Sequence, residues 1–177
     1  MNKKIILILL MFPILLISQT EKKQDVWEPF KFFIGTWEGK GEGKSGVSKV
    51  TKEFQFVLNG KYLRMITKAN FEPQEKNPKG EVHEDFGYIS YDRSRKKFVF
   101  RQFHIEGFIN QYVLDSISED GKTIRWVSEK MENAPPSWKV ELIYTIKDDN
   151  TLEESFNLGM PNRNFECFNL NLLKRQK

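Results

Sequence analysis

Five polar side chains stand out because they lie on otherwise apolar faces of predicted β-strands. In a strand, residues two apart share a face, so each of these side chains points the same way as aromatic or aliphatic neighbours. An apolar pocket with a few convergent polar groups is the usual form of a small-molecule site. We therefore predict that an apolar or amphipathic ligand contacts Gln102, His104, Asn110, Tyr112 and Glu154.

Three alternatives stay open for this set. A register shift of one residue would exchange the strand faces and bring Arg64 and Arg101 inward instead. Glu154 equally suits an ion pair across strands, or an acid–base pair with His104 in an enzyme. His104 also suits a strand position without a ligand, and His83 is expected in solvent at a strand start.

Other motifs do not carry chemistry on inspection. Gly43-Lys44-Ser45 matches the end of a phosphate-binding loop, but the glycine required at position 38 is a glutamate. The acidic stretch 148–150 lacks the spacing and the glycine of a calcium loop. Two His and one Cys argue against a zinc site rich in these residues and against internal disulfides. We expect no metal site.

The elements that must position the five residues are antiparallel strands. Period-two alternation and short apolar runs, separated by turn signals such as Asn59-Gly60, indicate about ten of them. They are expected around residues 36–42, 50–58, 61–69, 82–91, 98–105, 108–117, 122–129, 138–147, 152–158 and 165–172.

Short links make successive strands neighbours, and closing the sheet removes its exposed edges. The sequence therefore predicts an all-β fold, a single antiparallel up-and-down barrel. Trp27, Phe30, Phe33 and Ile34 share a helical face that ends at Gly35, so a short N-terminal helix is expected to plug one mouth. The main alternative is a β-sandwich, although only residues 70–80 and 130–137 are long enough for its crossovers.

A family resemblance supports the barrel. Segment 33–43, FIGTWEGKGEG, and the layout of helix, Gly-x-Trp and ten-strand meander resemble the nitrobindin-like barrels of the calycin superfamily. Segment 83–88, HEDFGY, is similar to a His-x-Glu-x-Gly-Tyr pattern of that family, with one added residue. The resemblance implies heme and chemistry on nitric oxide or peroxynitrite. The family's iron ligand is a His near the C-terminus, where this chain carries Cys167; Met160 and His104 are the other candidate ligands.

Three functions follow as hypotheses. The first is a barrel that binds a small apolar or amphipathic molecule without turnover. The second is an enzyme, either heme-dependent and nitrobindin-like or using His104 and Glu154. The third is a barrel filled by its own aromatic side chains, which acts as an interaction module with an apolar patch outside.

The N-terminus has the pattern of a secretory signal peptide. Lys3 and Lys4 precede uncharged residues 5–17, which are followed by Ser18. We expect cleavage after residue 18, a mature domain of 19–177, and a secreted or periplasmic location; an uncleaved anchor is the alternative. Thirteen residues of helix reach about 20 Å, too short for a stable membrane span.

The charge balance gives little reason to expect nucleic acid as a partner. The chain has 28 Lys and Arg against 24 Asp and Glu, a net charge of +4. Loss of Lys3 and Lys4 with the leader would leave 26 against 24, or +2. Basic and acidic residues are also interspersed, whereas nucleic-acid-binding proteins cluster their positive charge.

Overall fold

The structure is a computed structural model that describes residues 25–161 and 163–177. A six-residue 3₁₀ helix, Glu28–Phe33, precedes ten strands in this part of the chain. The strands are β1 (Gly35–Gly43), β2 (Gly46–Val57), β3 (Tyr62–Phe71), β4 (Glu81–Asp92), β5 (Lys97–His104), β6 (Ile109–Ile117), β7 (Thr123–Glu132), β8 (Lys139–Asp148), β9 (Thr151–Gly159) and β10 (Glu166–Arg175).

The ten strands close into one antiparallel barrel. Each strand pairs with the next along the chain, and β1 pairs with β10 to complete the ring. The predicted all-β, up-and-down barrel is confirmed, and the sandwich alternative is wrong. The closing pair is very tight at Gly39, where an added Cβ would lie 1.9 Å from the carbonyl oxygen of Leu172. Only glycine allows β10 to approach β1 this closely.

The N-terminal helix is a 3₁₀ helix, shorter and tighter than the predicted helix. Its amide–carbonyl bonds span three residues, from Phe30 to Trp27 and from Ile34 to Lys31. A 3₁₀ helix has three residues per turn, so Trp27, Phe30 and Phe33 lie on one side of it. This geometry explains the spacing of three between the aromatic residues of this segment. Phe30 and Phe33 are buried against the barrel. Gly35 then takes a φ of +118°, a conformation that favours glycine, as β1 begins.

Aromatic side chains fill the half of the barrel next to this helix. Phe30 packs edge-to-face on Phe98, with ring centroids 4.7 Å apart, and Phe33 packs in the same way on Tyr144 at 5.2 Å. Trp37 is fully buried and donates its indole N–H to the carbonyl oxygen of Phe33 at 2.7 Å. The helix therefore seals one mouth, and any cavity must lie toward the other.

The described residues contain no helix that is long and apolar enough to cross a membrane. The predicted signal peptide, residues 1–18, lies outside the described residues.

Candidate functional site

A cavity of about 370 Å³ occupies the half of the barrel opposite the 3₁₀ helix. One part of its wall is apolar and is formed by side chains such as Phe71, Phe108, Val140, Phe156 and Leu158. The other part is polar, and most of its ionisable side chains come from β4, β5 and the turn after β5. The two kinds of wall meet in one space, which suits a molecule with an apolar body and a polar end.

All five predicted site residues lie inside the barrel and are buried. Gln102, His104 and Glu154 line the cavity, whereas Asn110 and Tyr112 stand behind its wall and contact the residues that line it. The alternative register does not occur. Arg101 is exposed, and Arg64 donates hydrogen bonds to the side chains of Glu53 and Gln55.

Two histidines and an aspartate form the most concentrated chemistry in the cavity wall. His83 Nε2 lies 2.9 Å from Asp85 Oδ1, and His104 Nδ1 lies 2.8 Å from the same oxygen. Both imidazoles therefore converge on one carboxylate. His83 is not in solvent as predicted: it is the third residue of β4, and only 24% of its side chain is exposed.

A second group of side chains holds this cluster in place. His83 Nδ1 lies 2.8 Å from Glu106 Oε1, and Gln102 Nε2 donates to Asp85 Oδ2 at 3.2 Å. The Phe108 ring stacks on the His104 ring with centroids 4.1 Å apart. These contacts fix the orientation of all three members of the cluster.

A chain of buried hydrogen bonds continues from the cluster into the barrel wall. Asn110 Nδ2 lies 3.0 Å from His104 Nε2 and donates to the Tyr112 hydroxyl at 3.0 Å. The Tyr112 hydroxyl in turn donates to Gln102 Oε1 at 3.1 Å. Four of the five predicted residues thus belong to one network around Asp85.

Burial and pairing shift the pKa values of this network. The hydrogen bond to Asp85 raises the pKa of His83 to about 9, against the opposing effect of burial. Burial alone would raise the pKa of Asp85, but hydrogen bonds from His104 and His83 outweigh it and hold that pKa well below its usual range. Burial raises the pKa of Tyr112, so its phenol is neutral at ordinary pH. Asp85 is therefore a buried anion that attracts cations.

Glu154 has a different partner. It forms a buried ion pair with Lys52, whose side chain is only 1% exposed, and the Lys52 ammonium also lies 5.5 Å from the centroid of the Tyr144 ring. The predicted alternative of an ion pair across strands is thus what the structure contains, between β2 and β9. Because Glu154 is engaged by Lys52 and His104 by Asp85, the two do not form an isolated acid–base pair.

Sequence reasoning missed Asp85, His83 and Lys52 as members of the interior. Lys52 shares the inward face of β2 with Val50 and Phe54, so the period-two rule already places it inside. Asp85 and His83 likewise share a face with the buried Ile89. Strand parity was therefore a sufficient signal for Lys52, but not for Asp85 and His83, because the opposite face of β4 carries Val82, Phe86 and Tyr88.

The interior does not fit the heme that the resemblance implies. Cys167, at the position expected for the iron ligand, is exposed, and Met160 is 39% exposed on the surface after β9. His104 does reach the cavity, but Asp85 and Asn110 occupy its two ring nitrogens. Cys167 and Met160 are not among the residues that line the cavity, and His104 would have to give up a buried contact with Asp85 or Asn110 to bind a heme iron.

The fold is shared with a known structure. The crystal structure of Rv2717c from M. tuberculosis superposes with a TM-score of 0.67 and 17% identity, over 85% of this chain and 97% of that one. The chain has the fold of Rv2717c. A de novo designed fluorescence-activating β-barrel is matched at a TM-score of 0.42 and 16% identity, over 82% of this chain and 94% of the design.

Sequence comparison adds one local match. The chain is 29% identical over 83 residues to transcription elongation factor SPT5 from Drosophila melanogaster, and this match covers 45% of the chain but 7% of that protein. No family model matches the sequence. The likeness to Rv2717c thus shows the fold alone.

Proposed function

We propose that the protein binds a small amphipathic molecule in the cavity, with the apolar body among the aromatic and aliphatic side chains and the polar end at Asp85. The observation that carries the proposal is the joining of an apolar wall and a charged cluster in one cavity of about 370 Å³. A secreted or periplasmic location is part of the proposal and rests on the leader pattern of residues 1–18. Kinship with the nitrobindin-like family is also proposed, for the barrel alone.

The charges around the cavity select the polar end of the ligand. Four carboxyl side chains line it: Glu81, Asp85, Glu106 and Glu154. The cations beside them are His83, which holds its proton at neutral pH, and Lys52, which pairs with Glu154, so the wall keeps a net negative charge. Ser48 adds a buried hydroxyl that has no partner of its own and can bond to a ligand. Like charges are strongly disfavoured at short range, so the ligand's polar end is an amine or a hydroxyl rather than a carboxylate.

Three ten-carbon probes that differ only in the head group test this proposal. Decylamine and decanol are expected to bind saturably at one equivalent, detected by a change in tryptophan fluorescence, since Trp138 of the four tryptophans lies in the cavity wall. Decanoate is expected to bind at least about tenfold more weakly, because its head would meet Asp85.

A pair of adjacent substitutions serves as a control. Ala69→Phe places a ring inside the cavity, whereas Lys68→Phe places the same ring on the outer face of β3. The first is expected to abolish probe binding and the second to leave it unchanged. Absence of binding for all three probes, or equal binding by both variants, would overturn the proposal.

A further inference from the structure

We propose that His83, Asp85 and His104 bind a divalent transition-metal ion at the polar end of the cavity, with Zn²⁺ and Fe²⁺ the best-matched ions. This inference goes beyond the binding of an organic molecule and does not depend on it. Two imidazole nitrogens and one carboxylate oxygen form a donor set used by zinc and by non-heme iron. The predicted absence of a metal site rested on the shortage of His and Cys and on the lack of a calcium loop, and it did not consider two His together with one carboxylate.

The donor atoms are already gathered in one place. His83 Nε2 and His104 Nδ1 approach the same oxygen of Asp85 at 2.9 and 2.8 Å, and one ligand atom from each residue lies within 4.8 Å of the others. Bonds of about 2.0–2.2 Å to one ion require donor atoms nearly this close. Small rotations of the side chains suffice to seat an ion among them.

Each of the three ligands also has an outer partner, as metal ligands usually do. Glu106 Oε1 lies 2.8 Å from His83 Nδ1, so it can accept that N–H while Nε2 faces the ion. Gln102 donates to the second oxygen of Asp85 at 3.2 Å. Carboxylate and amide partners of this kind fix the tautomer and orientation of the ligands.

Asn110 supplies an independent observation. Its side-chain oxygen is buried and has no hydrogen-bond partner, while its nitrogen lies 3.0 Å from His104 Nε2. If the carboxamide turns over, the oxygen accepts a proton from His104 Nε2, and Nδ1 is left with a free lone pair toward Asp85. Binding a metal through His104 Nδ1 would therefore give this buried oxygen a partner, in exchange for the bond that the Asn110 nitrogen donates to the Tyr112 hydroxyl.

The site keeps coordination positions open. His83, Asp85 and His104 all line the cavity, so further positions on the ion would face the ligand space. Three protein ligands with an open position distinguish catalytic and ligand-binding metal sites from closed structural ones. The ion would thus meet whatever molecule occupies the cavity.

Zinc titration of the protein, purified without a polyhistidine tag, tests the inference directly. We expect calorimetry to show saturable binding of one Zn²⁺, and Co²⁺ in its place to give visible ligand-field absorption. The chain has only two histidines, so NMR can follow both imidazoles, and both are expected to shift. Glu106→Gln, which alters a positioning residue, is expected to weaken binding by about 10–100-fold without changing the stoichiometry.

Charge-matched variants on β4 provide the control. Asp85→Asn and Glu84→Gln each remove one negative charge, but Glu84 points outward and pairs with Lys68. Asp85→Asn should weaken zinc binding at least as much as Glu106→Gln does, while Glu84→Gln should leave it unchanged. His83→Ala, at a half-buried position, gives the same test should Asp85→Asn fail to fold.

Two results would overturn the inference: no saturable zinc binding, or binding that survives His83→Ala. Neither result bears on the organic probes, which are measured in metal-free buffer. Conversely, zinc binding without probe binding would sustain the metal site and reject the proposed function.

Discussion

At the scale of single residues, the buried ion pair of Lys52 and Glu154 is the most consequential feature outside the histidine cluster. The two side chains are 1% and 8% exposed, and they meet across the barrel from β2 and β9. Removing one partner of such a pair leaves the other charge buried and unpaired, which is far more costly than losing an exposed pair.

Lys52→Met is therefore expected to lower the free energy of unfolding by about 3–5 kcal/mol, measured by urea denaturation. The double variant Lys52→Met, Glu154→Gln should recover much of this loss, because no charge is then left unpaired. Lys130→Met, which breaks an exposed pair with Glu132, is the matched control and should change stability little. Equal stability of Lys52→Met and the wild type would show that the pair is not structurally coupled.

The same residues show what sequence analysis can and cannot reach. Gln102, His104 and Glu154 were predicted to face inward because apolar neighbours two residues away mark the face. Lys52 obeys the same parity but was not recognised, since a lysine is almost never buried unless it is paired. Its partner lies 102 residues away, and only the closed barrel brings the two together.

At the scale of elements, the sequence predicts the positions of the strands and, for most of them, which face points into the barrel. The inward face of β4 is the exception. Its large apolar residues, Val82, Phe86 and Tyr88, point outward and are 38–51% exposed. Its inward face carries His83 and Asp85 because it lines the polar end of the cavity. Hydrophobic alternation alone therefore predicts the wrong inward face for β4. The pairing of β4 with β3 and β5 in the barrel determines which face points inward.

The 3₁₀ helix depends on the last strand for its attachment. Arg175 of β10 donates to the carbonyl oxygens of Ile34 and Phe32 at 2.7 and 2.6 Å, and its guanidinium carbon lies 4.1 Å from the centroid of the Trp37 ring. One side chain thus joins the C-terminal strand to the plug. The planar guanidinium of arginine can donate to both carbonyl oxygens at once and stack on the Trp37 ring, whereas a lysine ammonium lacks this geometry.

Arg175→Ala is expected to lower the free energy of unfolding by about 1.5–3 kcal/mol, the range for hydrogen bonds to charged groups. Arg175→Lys should recover only part of this stability, although it keeps the charge. Lys174→Ala, at the exposed adjacent position, is the control and should have a smaller effect. If Arg175→Lys matches the wild type in urea denaturation, charge rather than the double hydrogen bond attaches the helix.

At the scale of the whole molecule, the barrel has two unlike halves. The half beside the 3₁₀ helix is filled by aromatic rings, as the interaction-module hypothesis predicts, and the other half holds the cavity. Composition predicted abundant aromatic side chains but not their segregation, which depends on where the helix inserts. Local charge is segregated too, because the cavity wall is acidic while the chain as a whole carries a net charge of +4.

This segregation predicts that a bound metal changes the ligand preference of the cavity. The metal-free wall presents carboxylates, so decylamine should bind better than decanoate. A divalent ion at His83, Asp85 and His104 displaces the proton of His83, so it adds one net positive charge and an open coordination position. Zinc should therefore reverse this order and strengthen decanoate binding by about tenfold or more. Titrations of the protein with decylamine and with decanoate, each with and without Zn²⁺, measure the reversal.

Two variants separate the parts of this prediction. His83→Ala should abolish the reversal while decanol still binds, because the apolar wall is intact. Val140→Phe should prevent binding of all three probes while zinc still binds, because Val140 lies in the cavity wall on β8, whereas the metal cluster lies on β4 and β5. Decanoate binding that is indifferent to zinc in the wild type would mean that the ion and the organic ligand do not meet in the cavity. A reversal that occurs in the wild type and not in His83→Ala would show that the ion and the organic ligand occupy adjoining parts of one site.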